Sequence, residues 1–149
     1  MMEIVLARPH ALLRDDVTAA LERNGFTARL AQSAADISHL QGPDVHGAIV
    51  SAAASSAVGA SLPEMLERFR QVQPDVPLVM TTLMDAKQAM SSLDRVIEVA
   101  YGECELVSME AELRAAPCGR RPRHILILTR DDLKDLRAVD AVLQKHFSG

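Results

Sequence analysis

Aromatic side chains are scarce in this chain: 149 residues contain three Phe, one Tyr and no Trp. Proteins that stack the bases of single-stranded nucleic acid need exposed rings, so that function has no support. Cysteine is nearly absent as well. Cys104 and Cys118 make neither a CxxC redox pair nor a metal knuckle, and in a reducing compartment both are expected as free thiols. No apolar run reaches the ~18 residues that a membrane-spanning helix requires. Met1-Met2-Glu3-Ile4 lacks the basic start and cleavage site of a signal peptide, so a cytoplasmic location with no membrane partner is the default expectation. Gly47, Gly59 and Gly102 form no phosphate-cradling glycine loop, which removes support for nucleotide binding. Ser51, His10 and Asp15 stand in no GxSxG elbow, so a hydrolytic triad has no support either. His10, His39, His46, His124 and His146 show no HxH or HExxH spacing. No metal or cofactor is therefore expected from spacing, and only a metal site assembled in three dimensions stays open.

What the chain does contain is ordinary globular material. Apolar residues make up 48% and charged residues 24%, enough for one domain over 1–149 with a core of Leu, Val, Ile, Met and Ala. The net charge of −4 repels nucleic acid rather than attracting it. The local exception, Arg114 with Arg120, Arg121 and Arg123, flanks and enters a basic turn or linker at 117–123 and is expected to be solvated.

Short apolar runs alternate with amphipathic stretches, the pattern of a parallel sheet covered by helices. Glu3 to Ala7 reads as a strand buried on both faces, followed by a helix to about Asn24 that Gly25 can end. Phe26 to Leu30 is a weaker strand, and a short helix opened by Ser33 carries Ile37 and Leu40. His46 to Ser51 is the third strand. Ser61 and Glu64 form a capping box for the next helix, and Leu78 to Thr81 is the fourth strand. Asp85 is expected to cap a helix that turns Ala86, Ala89, Met90, Leu93, Val96, Ile97 and Ala100 inward and stops at Gly102. Leu106 to Ser108 and Glu110 to Ala116 predict a short strand and helix. His124 to Thr129 is the strongest strand, and one helix follows from Asp132 to Phe147, with Asp131 as its N-cap.

Residues 3–116 in this order resemble the receiver domain of bacterial response regulators. The resemblance is carried by Pro43-Asp44-Val45 before the third strand and by the stretch from Leu66 to Thr82, with its Pro74-Asp75-Val76-Pro77 turn and terminal hydroxyl. It implies a flavodoxin-like three-layer α/β sandwich with strand order 2-1-3-4-5. To this is added the C-terminal strand and helix of 124–149, which makes five or six strands in total. In one arrangement the 124–129 strand is a sixth, at the edge; in the other it is the true fifth, and 103–123 is an insertion. A run such as Ile125-Leu126-Ile127-Leu128 wants burial on both faces, which gives weight to the second.

The resemblance also implies a chemistry: a phosphoryl group passes from a histidine kinase to an aspartate, with Mg²⁺ held by nearby acids. The positions that carry this chemistry are altered here. The acid pair falls on Ala7-Arg8-Pro9-His10, the acceptor on Ser51 (or on Ile49 if the strand is aligned without a gap), the hydroxyl on Thr82 (or Thr81) and the lysine near Ser108. Arg8, Ser51, Thr82 and Ser108 thus outline a degenerate strand-end pocket, and a guanidinium in the Mg²⁺ space would repel the metal. The expected function is a non-enzymatic signalling or scaffold module, a pseudo-receiver acting by protein–protein contact with a pathway partner or a second copy of the chain. Its candidate surface is Leu133, Leu136, Val139, Val142, Leu143 and Phe147, although such a stripe is first of all a core face. The alternative is residual phosphotransfer or small-anion binding near Arg8, Ser51 and Thr82.

Overall fold

Strands β1 (Glu3–Ala7), β3 (Val45–Ser51), β4 (Leu78–Thr82) and β6 (His124–Thr129) form where the sequence is almost continuously apolar, and their residues are buried along nearly their whole length. The computed structural model describes residues 3–7, 14–31, 45–51, 62–72, 76–102, 104–114 and 124–148. Two shorter and more exposed strands, β2 (Thr27–Ala31) and β5 (Glu105–Ser108), complete a parallel six-stranded sheet in the order β2-β1-β3-β4-β6-β5. β6 therefore occupies the fifth place beside β4, and β5 extends the edge beyond it. This is the second of the two arrangements the sequence left open.

Strand alternation divides the core between two faces. Val5, Ala7, Ala48, Val50, Met80, Ile125 and Ile127 face helices α2 (Leu62–Val72) and α3 (Ala86–Ala100), meeting Met65, Phe69, Leu93 and Ile97. Ile4, Leu6, Ile49, Val79, Leu126 and Leu128 face the other way, onto α1 (Arg14–Arg23), α5 (Arg130–Lys134) and α6 (Leu136–Ser148). A short α4 (Met109–Arg114) follows β5 and packs against α6. Helices on both faces of a parallel sheet make the three-layer sandwich expected.

The local signals explain most boundaries. At the end of α1, Gly25 takes φ +78°, Phe26 N–H donates to the Leu21 carbonyl at 2.9 Å and Gly25 N–H to Glu22 at 3.1 Å. That pairing is a Schellman stop, with Phe26 and Leu21 buried in the same cluster. Asp85 caps α3 by accepting the Gln88 N–H at 2.8 Å. The C-terminal helix differs from its prediction. Thr129, not Asp131, is the N-cap, in a reciprocal box with Asp132, and the helix breaks at Asp135. The Asp135 carboxylate then accepts the Ala138 N–H at 3.3 Å and starts α6 as a second helix. Ser33, Ile37, Leu40 and Ser61 lie outside the described residues. No helix among the described residues is long and apolar enough to cross a membrane.

Candidate functional site

Parallel register brings the carboxyl ends of the central strands into one row. Ser51 lies opposite Thr81, and Thr82 opposite Thr129. Ala7 lies opposite Val50, one residue before Ser51. The last residues of β1, β3, β4 and β6 are Ala7, Ser51, Thr82 and Thr129, and none is an acid. Ser51 and Thr82 are buried, and the Thr82 hydroxyl accepts the Met84 N–H at 3.1 Å. The acids that follow these strands among the described residues are engaged locally. Asp85 caps α3, and the Asp132 carboxylate accepts the Thr129 N–H at 2.9 Å. Asp131 is exposed and lies 3.7 Å from Lys134. Asp15 and Asp16 are exposed in the first turn of α1, where acids favour the positive end of the helix dipole.

Of the four residues read as a strand-end pocket, Ser51 and Thr82 end adjacent strands, but Ser51 lies opposite Thr81 rather than Thr82. Arg8 lies outside the described residues. Ser108 stands apart: its strand is at the sheet edge, opposite Ile127, with β6 between it and β4. Its hydroxyl accepts the Ala111 N–H at 3.2 Å and caps α4. The physical reason is the strand exchange, which puts Thr129 beside Thr82 in the place assigned to Ser108. The expected apolar surface is also corrected. Leu133, Val139, Val142, Leu143 and Phe147 are buried in the core, and only Leu136, at 55% exposure, faces out.

A second constellation has no signal in the sequence. Glu112 on α4, His124 at the start of β6 and His146 near the end of α6 meet at the opposite end of the sheet, and both Glu112 and His146 are buried. Glu112 Oε2 lies 3.1 Å from His124 Nε2, and Glu112 Oε1 lies 3.4 Å from His146 Nδ1. The other nitrogen of His146, Nε2, is 2.8 Å from the Leu78 carbonyl oxygen. Lys145 Nζ donates to the Glu112 backbone carbonyl at 2.6 Å. The two imidazoles meet edge to face with centroids 4.9 Å apart. Hydrogen bonding by His146 first, opposed by burial and joined by His124, holds the Glu112 carboxyl down at about 2. The group is therefore a carboxylate in ordinary conditions.

No protein-family profile matches this chain, and no curated protein matches it. Solved structures do. A response regulator receiver domain protein from Clostridium thermocellum superposes with a TM-score of 0.53 at 12% identity, covering 97% of this chain and 96% of that one. The signal receiver domain of an HD domain-containing protein from Pseudomonas fluorescens Pf-5 gives 0.55 at 16% identity, over 99% of this chain and 98% of that one. A putative pilus assembly-related protein from Burkholderia pseudomallei gives 0.58 at 16% identity, over 99% and 90%. At such identities the likeness concerns the fold alone: the chain folds as response regulator receiver domains do, with its sheet ordered 2-1-3-4-6-5.

Proposed function

We propose that this chain is a receiver-like signalling module that works through protein–protein contact and does not undergo Mg²⁺-dependent aspartyl phosphorylation. The observation that carries the reading is the acid-free row of Ala7, Ser51, Thr82 and Thr129 at the strand ends. Phosphoryl transfer to a carboxylate needs an acceptor oxygen and a metal that neutralises the phosphoryl oxygens as charge develops. The buried hydroxyl of Ser51 is not a carboxylate acceptor, and the neighbouring strand ends offer no acid to hold the metal. The module is thus read as non-enzymatic, its output being a surface presented to a partner rather than a covalent change.

Incubating the chain with a small acyl phosphate and Mg²⁺, followed by intact mass, tests this directly. The expected result is an unchanged mass. A Mg²⁺-dependent gain of about 80 Da, one phosphoryl group, would sink the reading and favour residual phosphotransfer at the strand-end pocket.

A further inference from the structure

The buried Glu112–His124–His146 cluster has no part in the strand-end pocket, and the hydrogen bond made by His146 determines what it can hold. A carbonyl oxygen only accepts, so the 2.8 Å contact with Leu78 assigns the proton to His146 Nε2. In a neutral ring, Nδ1 is then a lone pair, and it faces Glu112 Oε1 at 3.4 Å. Two acceptors in that position repel unless a proton or a metal ion lies between them. The same arrangement orients a metal-ligating histidine: the backbone carbonyl fixes one ring N–H, and the other nitrogen is aimed at the ion.

We propose that Glu112, His124 and His146 form a binding site for a divalent transition-metal ion of the zinc type. One ligand atom from each residue can be chosen so that all lie within 4.8 Å of one another. From the single oxygen Glu112 Oε1, His124 Nε2 lies at 3.3 Å and His146 Nδ1 at 3.4 Å, the spacing of a tetrahedral shell. Bonds of about 2.0–2.1 Å at tetrahedral angles separate neighbouring ligand atoms by about 3.3 Å. Two imidazoles and one carboxylate are a donor set that zinc accepts, with the fourth position left for water. Imidazole nitrogen favours zinc, copper and nickel over the all-oxygen preference of Mg²⁺. The site is also remote from any receiver-type Mg²⁺ position: His124 opens β6, whereas Thr129 closes it.

The ion would join three separate parts of the chain. It ties α4, and with it the edge strand β5, to β6 and to the last turns of α6. Because the ligands meet only when these elements are packed, binding stabilises the folded state by mass action.

The test uses the full chain freed of metal with a chelator. Titration with ZnCl₂ by calorimetry is expected to give one ion per chain, and X-ray absorption of the zinc-loaded protein should show two imidazoles in the first shell. Zinc should raise the unfolding temperature, while millimolar Mg²⁺ should not. Affinity should fall by more than about tenfold in His124→Gln and in Glu112→Gln, since loss of a ligand costs at least as much as loss of its outer partner. His46→Gln, outside the cluster, should bind as the parent does. Absence of zinc binding by the unaltered chain leaves the cluster as a hydrogen-bonded histidine–carboxylate group and overturns the proposal. A zinc shell without two imidazoles, or affinity unchanged in both cluster variants, also overturns it by placing the ion elsewhere. The absorption spectrum needs no variant, so poor folding of either substitution leaves the test decisive.

Discussion

At the scale of single residues, the chain divides into positions whose identity is informative by itself and positions that acquire meaning only in space. Ser51 and Thr82 belong to the first kind. A hydroxyl closing an apolar strand is visible in the sequence, and the fold sets the two on adjacent strands. Glu112, His124 and His146 belong to the second. His124 and His146 lie 12 and 34 residues beyond Glu112 along the chain, spacings that no helix or strand period links. Only the packing of α4 against α6 reveals them. Gly47 is also of the second kind: its place within β3 suggests nothing, yet an added Cβ would collide with the Phe147 ring and lie 3.1 Å from the Pro77 carbonyl oxygen. Phe147 is fixed in turn by an edge-to-face contact with Phe26 at 5.7 Å. Gly47→Ala should therefore destabilise the fold by about 1–3 kcal/mol, the usual cost of overpacking a filled core. Urea unfolding followed by circular dichroism measures it, and a loss below about 0.5 kcal/mol, the range of a neutral site, would show that the ring yields without strain.

At the scale of elements, helix faces and caps decide which side chains are core. The stripe Leu133, Val139, Val142, Leu143 and Phe147 was legible as apolar, but the sequence could not tell a core face from an exposed docking face. The sheet settles it by burying all five beneath β1, β3, β4 and β6. Leu136 is left outside as the first residue of α6, directly after the break at Asp135. Leu143→Ala should then cost about 2–5 kcal/mol, whereas Leu136→Lys should stay within about 0.5 kcal/mol. Thermal denaturation of the pair tests the assignment, and comparable losses at both positions would refute it. Caps give a smaller signal. Asp85→Ala removes the acceptor of the Gln88 N–H and should cost about 1 kcal/mol. Asp85→Asn keeps an acceptor oxygen and should recover most of that loss, which separates the cap from a general charge effect.

At the scale of the whole molecule, the informative event is the exchange of the last two strands. Sequence order alone would place β5 beside β4. Apolarity ranks them the other way: in β6 every residue after His124 is buried, while β5 buries only Val107 fully. A strand with two apolar faces is stable only between neighbours and under helices on both sides, so β6 takes the interior and β5 the edge. That much was legible in Ile125-Leu126-Ile127-Leu128. The insertion of 103–123 as an edge unit was open until register paired Thr82 with Thr129 and Ser108 with Ile127. The exchange has a mechanical consequence. If β6 and α6 were an appendage on a finished receiver, a chain ending at residue 122 would fold. With β6 as the link between β4 and β5, and with α6 supplying Val139, Val142, Leu143 and Phe147 to one face of the core, that truncation removes an interior strand and leaves only α1 of the three helices α1, α5 and α6 on that face. The shortened chain should lose its cooperative unfolding transition, because interior strands and their covering helices carry the global stability. Its amide resonances should collapse into the narrow dispersion of an unpacked chain. A sharp thermal transition retained by the 1–122 chain would mean that β4 can close the sheet without β6, and that the receiver-like part stands alone.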